Sequence, residues 1–408
     1  MNSRQEDLKA RFDIVLFGLV TVLAAISVVL LYSLSSAPNE SEYWKKQLFS
    51  YGVGLVGMVG VTIVPRKFWY HSSYFLYVIL VLPLTLVSAS AKGAERWFAI
   101  GGFHFQPSEF AKLGVLLALA RIFSNRRVGL SNLRPLIAPL VMFFVPFILI
   151  LKQPNLSTAL SLATVFTAML FWSGFSILDL LILASPLISV GLSFVFTWWA
   201  VYNLLAWILL FQRWKSRLIS GKVATILGLA ILMAGLASQI AWNQVLKPHQ
   251  RSRILTFLDP TRDPGGAGYQ VLQSQVAIGS GGLLGKGFGQ GSQSNLQFLP
   301  EEHNDFIFAV LSEQFGFVGC FIVLGLLLAF LIRCLQMCFE ESDKFRNLVI
   351  VGAVTIFAFH SVVNVAMTLG LMPVTGLPLP FLSYGGSFVI TCMILVGFLL
   401  HMRLGEDE

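Results

Sequence analysis

Between Gln297 and Phe308 the sequence reads QFLPEEHNDFIF, which sets three carboxylates (Glu301, Glu302, Asp305), an imidazole (His303) and an amide (Asn304) within five residues. A carboxylate there can remove a proton from an acceptor hydroxyl, provided it is ionised and within hydrogen-bond reach. The cluster adjoins a hydrophobic run long enough to enter a membrane, where each polar group must find a partner or keep contact with water. Position alone leaves Asp305 two roles: it caps the free amide groups of the following helix, as Asn304 also could, or it serves as a general base. Glu301, Glu302 and His303 assist that base or merely solvate the loop. A second pair, Glu109 and Lys112, stands three apart on one helical face at the start of an apolar run. It reads as a self-neutralising salt bridge, or Lys112, with Arg96 beside Trp97, offers positive charge to an anionic lipid diphosphate.

Upstream of the acidic cluster lies GSGGLLGKGFGQG, Gly279 to Gly291. Gly285 and Lys286 are followed by Gly287 instead of Ser or Thr, so a nucleotide phosphate loop is excluded. The glycines suit tight turns at a membrane surface, and with the acidic cluster they form one extracytoplasmic re-entrant region in front of a span.

The elements that must hold these residues follow from composition. Of the 408 residues 56% are hydrophobic and 12% charged, which marks a polytopic membrane protein. Apolar runs near 14–32, 48–64, 74–90, 110–122, 136–151, 158–173, 177–196, 199–211, 224–242, 306–332, 348–369 and 388–402 predict an all-α fold of about twelve transmembrane helices. The polar lead-in to 110–122 belongs to that helix. The first run lacks a cleavage site and reads as an anchor. No repeat, low-complexity tract or soluble second domain is evident, so 1–408 reads as a single transmembrane domain.

Lys and Arg decide the orientation. Arg4, Lys9 and Arg11 precede the first span, and alternating sides from a cytoplasmic start places most of the basic residues in inner connections, from Arg66 and Lys67 to Arg333, Lys344 and Arg346. Both termini are then cytoplasmic. The net charge of +8 marks this topology and not a nucleic-acid partner, because the long outer loop 243–304 balances its basic residues (Lys247, Arg251, Arg253, Arg262, Lys286) with acidic ones. Ala91 to Lys112, Lys152 to Ser157 and the Pro- and Gly-rich Pro373 to Ser387 fall on the same outer side. The last should be broken backbone lining a cavity. The four cysteines suggest neither a disulfide framework nor a metal site.

Three long motifs, in order, carry a resemblance: GAERWFAIGGFHFQPSEFAK, the stretch from FLDPTRDPGGAGYQ through GSGGLLGKGFGQGSQSNLQFLPEEHNDFIF to EQFGFVG, and GLMPVTGLPLPFLSYGGS. The chain resembles the SEDS family (shape, elongation, division and sporulation) over nearly its whole length, closest to the RodA-type elongation branch. The resemblance implies a peptidoglycan glycosyltransferase of the bacterial cytoplasmic membrane, acting on lipid II and undecaprenyl-diphosphate-linked glycan, with a class B penicillin-binding protein as partner. It implies Asp305 as the essential aspartate and Trp97, Gln106, Ser108, Glu109 and Lys112 as conserved contacts. Arg96, Arg251, Glu301, His303 and Ser383 complete the expected substrate-binding set. Two departures stand out. Asn155, Leu156 and Ser157 replace a common Asp-Leu-Gly, and the family core of ten spans would be joined here by an extra hairpin over 175–222.

The implied reaction has Asp305 deprotonate an acceptor hydroxyl that attacks the anomeric carbon of the donor with inversion. The leaving diphosphate needs a cation, from Lys112, Arg96, Arg251 or a divalent ion. No other cofactor is expected. The rivals are a lipid II carrier or flippase, a division- or sporulation-type member of the same family, and a scaffold for other wall enzymes. A polymerisation assay with labelled lipid II separates them.

Overall fold

A computed structural model describes residues 13–34, 42–89, 97–100, 103–125, 134–153, 155–193, 196–240, 267–292, 299 and 302–403. The first three helices are α1 (Ile14–Ser33), α2 (Tyr43–Ile63) and α3 (Arg66–Ala89). A small hairpin of β1 (Phe98–Ile100) and β2 (Phe103–Phe105) leads into α4 (Pro107–Asn125). Then come α5 (Ile137–Lys152), α6 (Leu156–Trp172), α7 (Ile177–Leu192), α8 (Phe196–Lys215) and α9 (Gly221–Ile240). The chain continues with α10 (Ala267–Gly281), α11 (Ile307–Glu340), α12 (Lys344–Thr368) and α13 (Gly386–Arg403). Each apolar run read from the sequence coincides with a helix, and eight helices among the described residues are long and apolar enough to cross a membrane.

Two features depart from that reading. The hairpin is a small β element in an otherwise helical chain, and α10 lies inside the stretch 243–304 that was expected to be loop. The glycine content hid α10, because Gly279 and Gly281 form its last turn although such residues disfavour helix interiors.

Burial sorts the helices into layers. Of the apolar windows of α13 and α12, 83% and 72% are buried, and most of α4 is buried too, so these three form the centre. The corresponding share for α1, α2, α3 and α5 is about a third, and they line the periphery. Helix α2 packs on α13 at small residues: a Cβ on Gly397 would lie 2.8 Å from the Met58 carbonyl. The segment expected as a hairpin over 175–222 forms α7 and α8, which pack on each other and on α9.

Helix α11 has 34 residues, well beyond the roughly 20 of a straight span. It breaks at Gly316 (φ 63, ψ −161), a backbone region all but closed to residues with a Cβ. The break frees helical donors and acceptors, and the glycine stretch satisfies them. Lys286 and Gly287 donate to the Glu313 and Gln314 carbonyls at 2.9 and 3.0 Å, and Phe317 and Val318 donate to Gly282 and Leu283 at 2.9 and 3.1 Å. Before the break every residue from Ile307 to Gln314 is buried; after it, Phe317, Phe321 and Ile322 face outward. The glycine stretch Gly279–Gly291 is thus stitched into the next helix.

Candidate active site

At one end of the bundle, three chain segments converge on Asp305. The first is the turn 302–305 that leads into α11. The second is the irregular stretch between α12 and α13, which contains Gly376 at φ +71. Its Pro- and Gly-rich sequence forbids helix, and a Cβ on Gly376 would sit 3.2 Å from Asp305 Oδ2. The third is the first turn of α2, where Tyr43 stacks on His303 with ring centroids 4.1 Å apart. Asp305 is half-buried and Gly376 is exposed. The N-cap position of α11 is taken by Phe306, which has no capping side chain, and Asp305 stands one residue before it.

The expected broken backbone between Pro373 and Ser387 is held by side chains from several helices. Asn364 Nδ2 donates to the carbonyls of Asp305 at 2.9 Å and Leu377 at 2.7 Å. His360 Nδ1 lies 3.2 Å from the Pro378 carbonyl, and Ser157 donates to Thr375. Ser383 is fully buried; its hydroxyl accepts from the Leu379 amide at 2.8 Å and closes the turn 379–383. Inside that turn Phe381 holds φ +62, a value costly for a bulky residue, with its ring packed on Phe330 and Phe357. The Ser383 carbonyl accepts from Gln47 at 2.9 Å, and the Tyr384 amide donates to the His303 carbonyl at 2.9 Å. Burial, followed by the neighbouring Tyr43, pushes the Tyr384 phenol above its ordinary pKa, so it is a neutral hydroxyl.

The remaining expected residues divide by location. Lys112 is buried with its ammonium 2.8 Å from Glu109 Oε2 and 3.3 Å from His360 Nε2, over the ring of Phe388. That is the self-neutralising arrangement read from the spacing, and its charge is directed into the bundle. Gln106 Nε2 donates to Ser108 at 3.1 Å, and the Gln106 amide donates to Ser387 at 2.9 Å, so this lead-in anchors α4 to α13. Trp97, 44% exposed, precedes β1. Arg96, Arg251 and Glu301 lie outside the described residues.

Asn364, His360, Gly376, Tyr43 and Tyr384 were not singled out from the sequence. Tyr43 begins a helix whose apolar run was recognised only from Leu48, and Asn364 and His360 sit in the middle of α12. A polar pair spaced i, i+4 within an apolar span was the available signal for the latter two. Lys45 and Lys46 are exposed in the first turn of α2; Lys45 lies over the Trp44 ring, and Lys46 is paired with Glu42 at 3.6 Å.

Beside the site an apolar groove of about 390 Å³ runs between α6 and α12, lined by Leu160, Thr164, Phe359, Val363, Thr375 and Leu377. Thr375 and Leu377 flank Gly376, so the groove and the carboxylate share a wall. The arrangement therefore joins a half-exposed carboxylate to an apolar trough at one end of a helical bundle, which suits proton removal from the polar head of a lipid.

A family model described as a cell cycle protein, spanning FtsW, RodA and SpoVE, matches residues 10–220 and 206–407. The peptidoglycan glycosyltransferase MrdB of Escherichia coli strain K12 is 33% identical over 390 residues, 94% of this chain and 92% of that protein. The peptidoglycan glycosyltransferase RodA of Treponema pallidum strain Nichols is 33% identical over 431 residues, 96% and 97% of the two chains. Among solved structures, a chain from a peptidoglycan synthase complex that couples polymerization and crosslinking aligns with TM-score 0.70 and 30% identity, over 96% of this chain and 97% of that one. The rod shape determining protein RodA of Thermus thermophilus aligns with TM-score 0.61 and 26% identity, over 96% of both chains.

Proposed function

Because the chain belongs to the family of FtsW, RodA and SpoVE, we propose that Asp305 is the general base with which it polymerises lipid II. The family resemblance read from the motifs is borne out, and the activity is that of a RodA-type peptidoglycan glycosyltransferase in a multi-pass membrane protein. The observation that carries the assignment is the setting of Asp305, half-buried against Gly376, whose neighbours Thr375 and Leu377 line the apolar groove.

In the proposed step Asp305 takes the proton of the acceptor sugar hydroxyl as that oxygen attacks the anomeric carbon of the donor glycan. A carbon–oxygen bond forms, the bond from that carbon to the diphosphate oxygen breaks, and the diphosphate leaves with the electron pair. Attack from the opposite face gives the β-1,4 linkage. The groove between α6 and α12 takes the isoprenoid chain of one lipid, holding the head group against the carboxylate, and such orientation supplies rate beyond proton transfer.

The leaving diphosphate requires positive charge. We assign this to Arg96 and Arg251, with the exposed Lys45 of the first turn of α2 as a further source, and give Lys112 a supporting role inside the bundle, since its ammonium is fully buried against Glu109. A divalent ion remains the alternative source. The site faces outward and both termini are cytoplasmic in this reading, which agrees with the pairing of Asp13 and Arg403 at the end of the bundle opposite Asp305. A class B penicillin-binding protein is the proposed partner for crosslinking, a reading supported by the similarity to a chain of a synthase complex.

The test is polymerisation of labelled lipid II by purified protein in lipid, wild type against Asp305→Asn, each with and without the partner and with and without a divalent chelator. The reading expects long glycan from the wild type and a loss of roughly 100- to 10,000-fold from the variant, with lipid II binding kept. A loss of only a few-fold would leave Asp305 as a structural residue of the turn before α11. Lipid II transfer between leaflets without polymer would favour the carrier.

A further inference from the structure

The carbonyl groups on either side of Gly376 are each claimed by a side chain from a neighbouring helix. Ser157 of α6 donates to Thr375, Asn364 of α12 to Leu377 at 2.7 Å, and His360, one turn below Asn364, lies 3.2 Å from Pro378. Asn364 makes a second bond with the same nitrogen, to the backbone carbonyl of Asp305 at 2.9 Å. Both partners are acceptors, so the amide must present its NH₂ group to them and its orientation is determined. One fully buried side chain thereby ties the turn that bears the carboxylate to the segment that walls it in.

The neighbouring histidine is oriented by the same logic. The Lys112 ammonium has only donors, so His360 Nε2 accepts from it and Nδ1 carries the proton given to Pro378. Lys112 is in turn held by Glu109 at 2.8 Å. The buried ion pair therefore reaches the active-site backbone through an imidazole.

We propose that Asn364 is a positioning residue for catalysis: it sets the distance between the Asp305 carboxylate and the Gly376 wall without itself touching the reacting atoms. This inference rests on the reading of Asp305 as the base. Displacement of a catalytic group by about 1 Å can reduce turnover roughly 100-fold. A residue that acts only by position should therefore change kcat and leave KM nearly alone.

The same helix carries a matched control. Asn347, half-buried at the opposite end of α12, also donates twice through Nδ2, to the carbonyls of Cys338 at 2.6 Å and Glu341 at 3.0 Å. Asn347→Ala removes the same chemistry far from the site. The experiment measures kcat and KM for labelled lipid II, together with thermal midpoints, on the full-length protein in lipid for Asn364→Ala, Asn364→Ser, Asn347→Ala and Asp305→Asn. The expected result is a fall in kcat of at least about tenfold for Asn364→Ala with KM within about twofold, and an intermediate kcat for Asn364→Ser, which keeps one donor. Asn347→Ala should lower the midpoint comparably while holding kcat per folded molecule within about twofold.

Equal kcat for the two alanine variants, or a loss in Asn364→Ala that merely tracks the folded fraction, would overturn the proposal. So would a rise in KM with kcat intact. If Asn364→Ala does not fold, the serine variant carries the same comparison. Should Asp305→Asn itself keep turnover, the base assignment fails; should it lose turnover while Asn364→Ala does not, only the positioning role falls.

Discussion

Two aspartates stand just before membrane-entering helices at opposite ends of the bundle, and their surroundings differ in kind. Asp13 is buried, accepts from the Leu16 amide at 2.9 Å, and is paired with Arg333 of α11 at 2.7 Å and with Arg403 of α13. Its charge is spent on joining three helix ends. Asp305 is half-buried and set against a glycine that adopts a conformation closed to most residues. Two guanidiniums closed over a buried carboxylate leave no room for a substrate hydroxyl. A wall lacking a side chain leaves space beside Asp305 Oδ2. The same residue type, at the N-cap of one helix and one residue before the N-cap of another, thus joins helix ends at one end of the bundle and, in the proposed reading, serves chemistry at the other.

Exchanging each for its amide sharpens the contrast. Asp305→Asn should lower polymerisation roughly 100- to 10,000-fold with the thermal midpoint nearly unchanged. Asp13→Asn should do the reverse: turnover per folded molecule within about twofold, and a midpoint lowered by several degrees because two basic groups lose their shared partner. Because those guanidiniums keep about a quarter of their surface in solvent, the loss should fall near the low end, roughly 1–3 kcal/mol. Similar activity losses in both would erase the distinction.

The next effect tests the wall. Gly376→Ala puts a Cβ 3.2 Å from Asp305 Oδ2 and strains a backbone at φ +71, about 1–2 kcal/mol for a residue with a side chain. Turnover should fall about tenfold with lipid II binding kept. A smaller effect is expected in the groove. Thr164→Trp fills the trough from the α6 side and should raise KM for lipid II several-fold, with little change for an analogue bearing a short prenyl chain. Equal effects on both lipids would remove the isoprenoid chain from the groove.

Much of this architecture was legible from the chain, for reasons that residues make plain. Apolar runs of membrane length announce helices because lipid offers the backbone no other partner, so each predicted span coincides with one. Asp305 stood out as a candidate because a carboxylate at the start of such a run needs an explanation. The tie between Asp305 and the Gly376 segment was not legible, since it is made by Asn364, whose partners lie 59 and 13 residues away. The Glu109–Lys112 contact followed from i, i+3 spacing, but His360 as its third member joins residues 248 apart. Helix α10 escaped because its glycines argued for a turn, and the docking of its C-terminal end, not its propensity, explains why they are there. Gly281, Gly285 and Gly316 meet at contacts where a Cβ would fall 2.0, 2.2 and 2.4 Å from backbone atoms.

That docking site supplies the mildest prediction and the sharpest limit on the contrast between the two aspartates. Glu313 is wholly buried in α11, and its carboxylate accepts from Lys286 at 2.7 Å and from Ser292 at 3.1 Å. The pair fastens the glycine stretch across the Gly316 break, while backbone bonds between the same segments carry the rest of the attachment. Lys286→Met leaves a buried carboxylate without its cation and should destabilise more than Glu313→Gln, which keeps a hydrogen-bonding oxygen and leaves the one-quarter-exposed ammonium in water. The double variant should then recover much of the loss in Lys286→Met, a non-additivity that thermal midpoints of the four proteins measure directly. Turnover per folded molecule should stay within about twofold throughout, because the break lies on the far side of Phe306 and Ile307 from the carboxylate that takes the proton. A tenfold fall in kcat for Glu313→Gln would show instead that the break in α11 helps aim Asp305, and the site would then extend through two turns of helix to the glycine stretch.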